Sequence, residues 1–220
     1  QKMHAAQQVD FSTRQAHYLC EQALAQVAQG DLAAAETKLA QAATVAPHAA
    51  RPRMELAKLQ QQQGQPSAAV ATLLAMGAAT PTALPLAAAL LVQAGQASGQ
   101  TASVMQALQQ HYSEAPSLDV LEGIVALEAA DPALSGAGRE WYVRHLETEP
   151  SLVAAAKWLA TEKLEHEQFH PQVQRALDRA SAPLTRYRCA ACGFEARQHF
   201  WQCPGCQTWD SYPSRRVEEL

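Results

Sequence analysis

The chain has 220 residues, 48% of them apolar but only 6% aromatic, and a formal net charge of −4 at pH 7. That size fits one or two domains, and the alanine-rich apolar share favours close-packed helices over strands. The charge balance gives no general attraction to nucleic acid. No apolar run approaches the roughly twenty residues of a membrane span.

The chain opens with Gln1 rather than methionine and enters a polar segment, which reads as a piece of a longer protein. Prolines recur at Pro47, Pro81, Pro116 and Pro150, and turn signals precede them at Gly30-Asp31, Gly64-Gln65-Pro66 and Gly95. A period of about 34 residues is that of the tetratricopeptide repeat, a unit of two helices. The first unit predicts a helix from Thr13 to Gln29, with Ala16, Leu19, Cys20, Ala23, Leu24 and Val27 on one apolar stripe. After Gly30-Asp31 a second helix, Leu32 to Ala46, carries Ala35, Leu39 and Ala42 inward and stops at Pro47. The second unit repeats the scheme with Leu56 and Ala57, a turn at Gly64, then Ala69, Leu73 and Pro81. The third holds Leu86 to Leu91 and then Val104, Leu108 and Tyr112, with a looser turn over Gly95–Gly99. Its run Leu84 to Ala94 contains Pro85 and Gln93 and reads as a packed helix.

A fourth unit has Leu121, Ile124, Val125 and Ala126, a turn near Asp131-Pro132, then Trp141, Tyr142 and Leu146. A fifth covers Ser151 to Ala180, with Val153, Trp158 and Leu159 in its first helix and Val173 and Leu177 in its second. Each pair cannot bury its apolar face alone, so stacking supplies the core. Ser181-Ala182-Pro183 opens a short linker.

Four cysteines follow, Cys189, Cys192, Cys203 and Cys206, spaced C-x2-C-x10-C-x2-C. Each C-x2-C pair turns the backbone once around a metal, and two such knuckles make a closed four-sulfur site. Gly193 and Gly205 permit the tight turns, and Tyr187, Phe194, Trp201, Trp209 and Tyr212 are expected to pack around the site. So short a segment needs a metal as its staple. Disulfides would require an oxidising compartment, and redox C-x-x-C pairs usually stand alone in a βαβ context. The resulting organisation is residues 1–180 as about five repeat pairs, 181–185 as linker, 186–213 as the metal module and 214–220 as tail. The tail is expected to be mobile or to form a small contact strand, and the module to dock on the last repeats.

Other motifs carry less. His166-Glu167-Gln168-Phe169-His170 matches H-E-x-x-H, but the repeat register puts Glu167 at a turn and Pro171 follows directly. Cys20 reads as a buried small hydrophobe. Arg215-Arg216 reads as a surface pair. Arg51, Arg53 and Lys58 read as a solvated helix face rather than a groove for an acidic partner.

The order of repeats and cysteine module resembles the lipopolysaccharide assembly protein B family. The residues that carry the resemblance are Tyr187-Arg188-Cys189-x-x-Cys192-Gly193-Phe194, Trp201-x-Cys203-Pro204-x-Cys206, and His17 to Leu24 with Gly30-Asp31-Leu32. The resemblance implies an all-α tetratricopeptide-repeat solenoid with a small C-terminal rubredoxin-like domain. It implies Cys189, Cys192, Cys203 and Cys206 as ligands of one iron ion, with zinc an alternative for the same sulfurs, and no catalytic or cofactor-binding residue. It further implies a non-enzymatic adaptor that restrains lipopolysaccharide synthesis by promoting degradation of the lipid A pathway deacetylase by an FtsH-type membrane protease. An inner-membrane sensor protein would regulate it. The chain would then work on the cytoplasmic side of the bacterial inner membrane, with the N-terminal anchor missing here. No nucleic acid is expected, and a homodimer is left open. In ordinary rubredoxins glycine follows the second cysteine of both knuckles, whereas Gln207 follows Cys206 here, which leaves thiolate hydrogen bonding there open. Rubredoxin-like electron transfer and a zinc-ribbon nucleic-acid module are the alternative functions, and a hydrolase built on His166 and His170 is the weakest.

Overall fold

The computed structural model describes residues 2–130, 137–162 and 167–220, and the side chains of 11–130, 138–162 and 168–220. The chain divides into two compact units, Gln1–Val104 and Met105–Leu220. Among the described residues no helix is long and apolar enough to cross a membrane.

The first unit contains α1 (Lys2–Ala28), α2 (Leu32–Val45), α3 (Ala50–Gln62), α4 (Pro66–Ala79) and α5 (Leu84–Ser98). Ala16, Leu19, Cys20 and Ala23 of α1 pack with Ala35, Leu39 and Ala42 of α2, the small side chains letting the axes approach. α1 starts well before Thr13, because Lys2 to Asp10 contains no glycine or proline to stop it. Leu24 is 39% exposed and falls outside the stripe, at the edge of a buried face only wide enough for its neighbours.

Asp31 caps α2 by accepting from Ala34 N at 3.0 Å. Three helices end on the same motif. Gly30, Gly64 and Gly99 all take positive φ. The following N–H reaches back to the carbonyl five residues earlier: Asp31 to Gln26 at 2.9 Å, Gln65 to Gln60 at 2.8 Å and Gln100 to Gly95 at 2.9 Å. The third turn is therefore Gly99, and Gly95 lies inside α5. Its hydrogen in place of a side chain admits Val104, whose Cγ2 would stand 2.8 Å from a Cβ built there. Arg51 is buried rather than solvated, 4% exposed. Its guanidinium donates to Glu21 Oε1 at 2.5 Å and lies 3.4 Å from His17 Nδ1.

α6 (Thr101–Glu114) crosses the unit boundary. The second unit then holds α7 (Leu118–Ala129), α8 (Ala137–Thr148), α9 (Leu152–Thr161) and α10 (His170–Ser181), followed by a two-stranded antiparallel sheet of β1 (Tyr187–Arg188) and β2 (Glu195–Ala196). Leu108, Leu121, Ile124, Tyr142, Val153 and Ala154 are among its buried residues. Both α7 and α9 begin after a Pro-Ser step, where Ser117 and Ser151 accept from Val120 N and Ala154 N. The expected turn at Asp131-Pro132 lies outside the described residues. Val173 is 44% exposed and not in the core. The inward side of α10 carries His170 and Gln174 instead, bonded to the carbonyls of Leu159 and Ala156.

Candidate metal centre

Each knuckle is a tight loop closed by the same pair of backbone bonds. In the first, Cys189 N donates to Phe194 O at 2.9 Å and Gly193 N to Cys189 O at 2.9 Å; in the second, Cys203 N donates to Thr208 O at 3.0 Å and Gln207 N to Cys203 O at 2.8 Å. The loops need a left-handed residue after the second cysteine. Gly193 supplies it at φ 77°, and Gln207 adopts φ 60° despite its side chain. The backbone of the second knuckle is thus rubredoxin-like without glycine. Gln202 Nε2 donates to Gln207 O at 3.1 Å and helps hold the turn. Gly205 is not in a left-handed conformation; a Cβ there would meet the Phe194 ring at 3.4 Å, so it lets that ring lie over the loop.

The four Sγ atoms lie within 4.8 Å of one another. Cys189 and Cys206 are 3.8 Å apart, and Cys192 and Cys203 3.6 Å. Four sulfurs at about 2.3 Å from one tetrahedral ion would be about 3.8 Å from each other, so the cage fits such an ion. All five cysteines are free thiols. Cys189 and Cys203 are buried, while Cys192 and Cys206 face solvent.

Electrostatics favour a cation. Desolvation resists ionisation of Cys189, but the Ser211 hydroxyl and the N–H groups of Cys192 and Ala191 bring it down to about 6. The N–H of Phe194 favours the Cys192 thiolate, yet burial and the neighbouring sulfurs push that thiol up to about 12. Thr208 lowers Cys206 through its hydroxyl and N–H. The sulfurs cannot all be anionic together unless a positive ion sits between them.

Aromatic residues surround the cage. Tyr187 and Tyr212 are buried, and His199 meets Tyr187, Trp201 and Tyr212 edge-on. His199 Nε2 lies 3.1 Å from Tyr212 O, and burial lowers its pKa, with that carbonyl opposing. Phe194 is 43% exposed, so this member of the expected shell is only half packed.

The tail was legible in the sequence only as a mobile end or a contact strand. It is neither: Val217–Glu219 form a 3-10 turn that folds back on the second unit. Val217 N and Glu218 N donate to Arg186 O and Leu184 O at 2.7 and 3.2 Å. Arg216 is no free surface charge. Its Nε reaches both Asp119 oxygens at 3.1 and 3.0 Å, its Nη1 reaches Thr185 O, and its Cζ sits 4.4 Å above the Tyr187 ring. Tyr187 OH donates to the same Asp119 at 3.0 Å. Sequence offered no signal joining residue 119 to residue 216.

The remaining candidates find structural places. Cys20 is fully buried, and burial raises its thiol to about 12, so it is no nucleophile. His166 lies outside the described residues. Glu167–Phe169 form a 3-10 turn, and His170 begins α10 with Nε2 3.1 Å from Leu159 O. The continuous helix that H-E-x-x-H chemistry requires is not formed there.

Paired helices of tetratricopeptide type carrying a four-cysteine metal-binding module define the class of protein. Residues 187–212 match the family described as rubredoxin metal binding domain, and residues 26–94 match the tetratricopeptide repeat. Over 213 residues, 93% of this chain, it is 28% identical to "Lipopolysaccharide assembly protein B" of Escherichia coli strain K12. The proteins of that name from strains O6:H1 and O157:H7 match with the same identity and coverage. The chain spans about half (54%) the length of these curated relatives.

Proposed function

We propose that the chain is a non-enzymatic adaptor in lipopolysaccharide assembly, whose repeats bind protein and whose metal module stabilises their C-terminal end. The observation that carries this reading is the ligand set. Four cysteine sulfurs within 4.8 Å of one another would supply all four ligands of a tetrahedral ion and leave no open position for a substrate or an activated water, which is how structural rather than catalytic sites are built. When bound, an iron or zinc ion neutralises the thiolates and staples the two knuckles. The name of the relatives supports the pathway. On this reading the partners are an FtsH-type membrane protease, the deacetylase of the lipid A pathway and an inner-membrane sensor, met on the cytoplasmic side of the inner membrane.

The test is a pull-down from native membranes with metal-loaded protein, chelated protein and the Cys189→Ser/Cys192→Ser double variant. Loaded protein should retain protease and deacetylase, and the other two should lose them. Equal capture by all three would remove the metal module from the function, and capture of neither partner by loaded protein would overturn the adaptor reading.

Electron transfer is a second reading, favoured by the exposure of Cys192 and Cys206 and by the matching backbones of the two knuckles. It requires a reversible iron wave in voltammetry and loss of function on zinc substitution.

A further inference from the structure

We propose that the C-terminal tail is a clasp through which the metal centre holds the first turns of α7 and α9. The inference deepens the adaptor reading and rests on it only for its biological use.

A helix begins with backbone N–H groups that lack an intrahelical acceptor and carry partial positive charge. At α9 the Glu218 carboxylate meets this end: Oε1 accepts from Leu152 N at 2.5 Å and Val153 N at 3.2 Å, and Oε2 from Ser151 Oγ at 2.7 Å. At α7 Glu219 Oε1 accepts from Leu118 N at 2.9 Å. Its other oxygen accepts from Arg216 N at 2.8 Å, which fixes the turn between the two carboxylates. Ser117 and Ser151 already satisfy Val120 N and Ala154 N, so each helix has two caps, one local and one from about 65–100 residues away. The two helices belong to successive pairs. Adjacent residues of one short turn therefore tie two pairs together.

What places that turn is the metal module. Arg216 lies between them, its guanidinium stacked on Tyr187 and paired with Asp119 in the first turn of α7. Tyr187 is two residues before Cys189, in the strand that leads into the first knuckle. The Val217 N bond to Arg186 O anchors the turn to the residue just before that strand. If the knuckles lose their ion, β1 loses its support, the Arg216 stack goes with it, and Glu218 and Glu219 are no longer held at the helix ends. The local serine caps remain, so the helices fray at their starts rather than unfold.

The experiment is amide hydrogen exchange with residue resolution on the full chain, zinc-loaded and after chelation, and on a zinc-loaded Glu218→Ala/Glu219→Ala variant. On chelation the amides of Cys189 and Cys203 should exchange freely, and those of Leu118, Leu152 and Val153 should speed up by about tenfold, the loss of one cap each. In the loaded variant those three amides should speed up similarly while the Cys189 and Cys203 amides and the zinc content stay as in the parent. The clasp is refuted if chelation opens the knuckles and leaves Leu118, Leu152 and Val153 protected, or if the loaded variant protects them as well as the parent does. No partner enters this measurement, so its failure leaves the adaptor reading standing, and failed capture in the pull-down leaves the clasp standing.

Discussion

Two glycines inside helices of the first unit make equally close contacts, yet replacing them with alanine should have opposite consequences. At Gly77 a Cβ would lie 2.8 Å from Leu84 Cδ1, with the next Leu84 atom at 3.7 Å. That contact is with the tip of a side chain with two rotatable bonds, which can swing away. At Gly95 the Cβ would meet Val104 Cγ2 at 2.8 Å and Val104 Cβ at 3.3 Å. Val104 is fully buried, and a valine in a helix is nearly confined to one χ1 well. Its Cβ moves only with the backbone, so α5 and α6 must separate. Alanine gains about 1 kcal/mol over glycine in a helix interior. Overpacking a rigid contact costs about 1–3 kcal/mol, and a clash at the root of a side chain belongs in the upper half of that range. Gly77→Ala should therefore be neutral or slightly stabilising, and Gly95→Ala destabilising by about 1–2 kcal/mol. Urea unfolding followed by circular dichroism gives both differences. Val104→Ala supplies the decisive background: alone it should cost about 2 kcal/mol, and within it Gly95→Ala should cost clearly less, because the 2.8 Å Cγ2 contact is gone and only the 3.3 Å contact with the retained Cβ remains. If Gly95→Ala costs as much in the Val104→Ala background as in the parent, or costs less than Gly77→Ala, the steric reasoning is wrong.

Arg216→Ala takes the guanidinium from Asp119, 12% exposed in its side chain, and leaves it the Tyr187 hydroxyl. Breaking a fully buried pair costs about 3–5 kcal/mol, and partial exposure brings the expected loss to about 2 kcal/mol; a double-mutant cycle with Asp119→Asn in thermal unfolding should recover most of it as coupling. Burial holds the His145 pKa below its ordinary value against the opposing pull of Glu149 and Glu218, while the Tyr112 hydroxyl lies 2.7 Å from its Nδ1. The unfolded chain then takes up that proton first, so stability is full above about pH 6.5 and falls on acidification below it. His145→Gln should flatten the fall in Tm between pH 7 and 5 relative to the parent, and an unchanged slope would exclude His145 as a contributor. Gln207→Gly should raise the thermal stability of the zinc-loaded chain by about 1 kcal/mol, since it relieves a side chain held at positive φ. A lower Tm would mean that the Gln207 side chain contributes more than its backbone conformation costs.

The first four helices and the cysteine cage were legible because each rests on a local signal. Gly30 and Gly64 mark helix ends that only a left-handed residue can make, and C-x2-C spacing sets the reach of two sulfurs within one turn of backbone. Gly95 misled because glycine has two uses. It ends helices, but it also lets two helix axes approach, and only the partner Val104 distinguishes these. Arg51 reads as a solvated cation because pattern counts charge without its partners, and Glu21, 30 residues away in sequence, lies in another helix. The tail was the largest gap. Arg216, Glu218 and Glu219 act on residues 65 to 101 positions earlier, a separation that no periodicity or motif records.

The charge pattern of the tail makes sense only in that folded setting. Considered alone, Arg-Arg-Val-Glu-Glu is a near-neutral solvated end. In place, the arginine that faces a carboxylate at the start of α7 is followed by two carboxylates that face bare N–H groups at the starts of α7 and α9. Reversing either sign would set like charge against like: an acidic residue at 216 would meet Asp119, and basic residues at 218 and 219 would meet the positive ends of two helices. The order of signs along five residues thus follows from where the chain must pass. A metal-stapled module that returns the chain to α7 and α9 supplies the reason for that path.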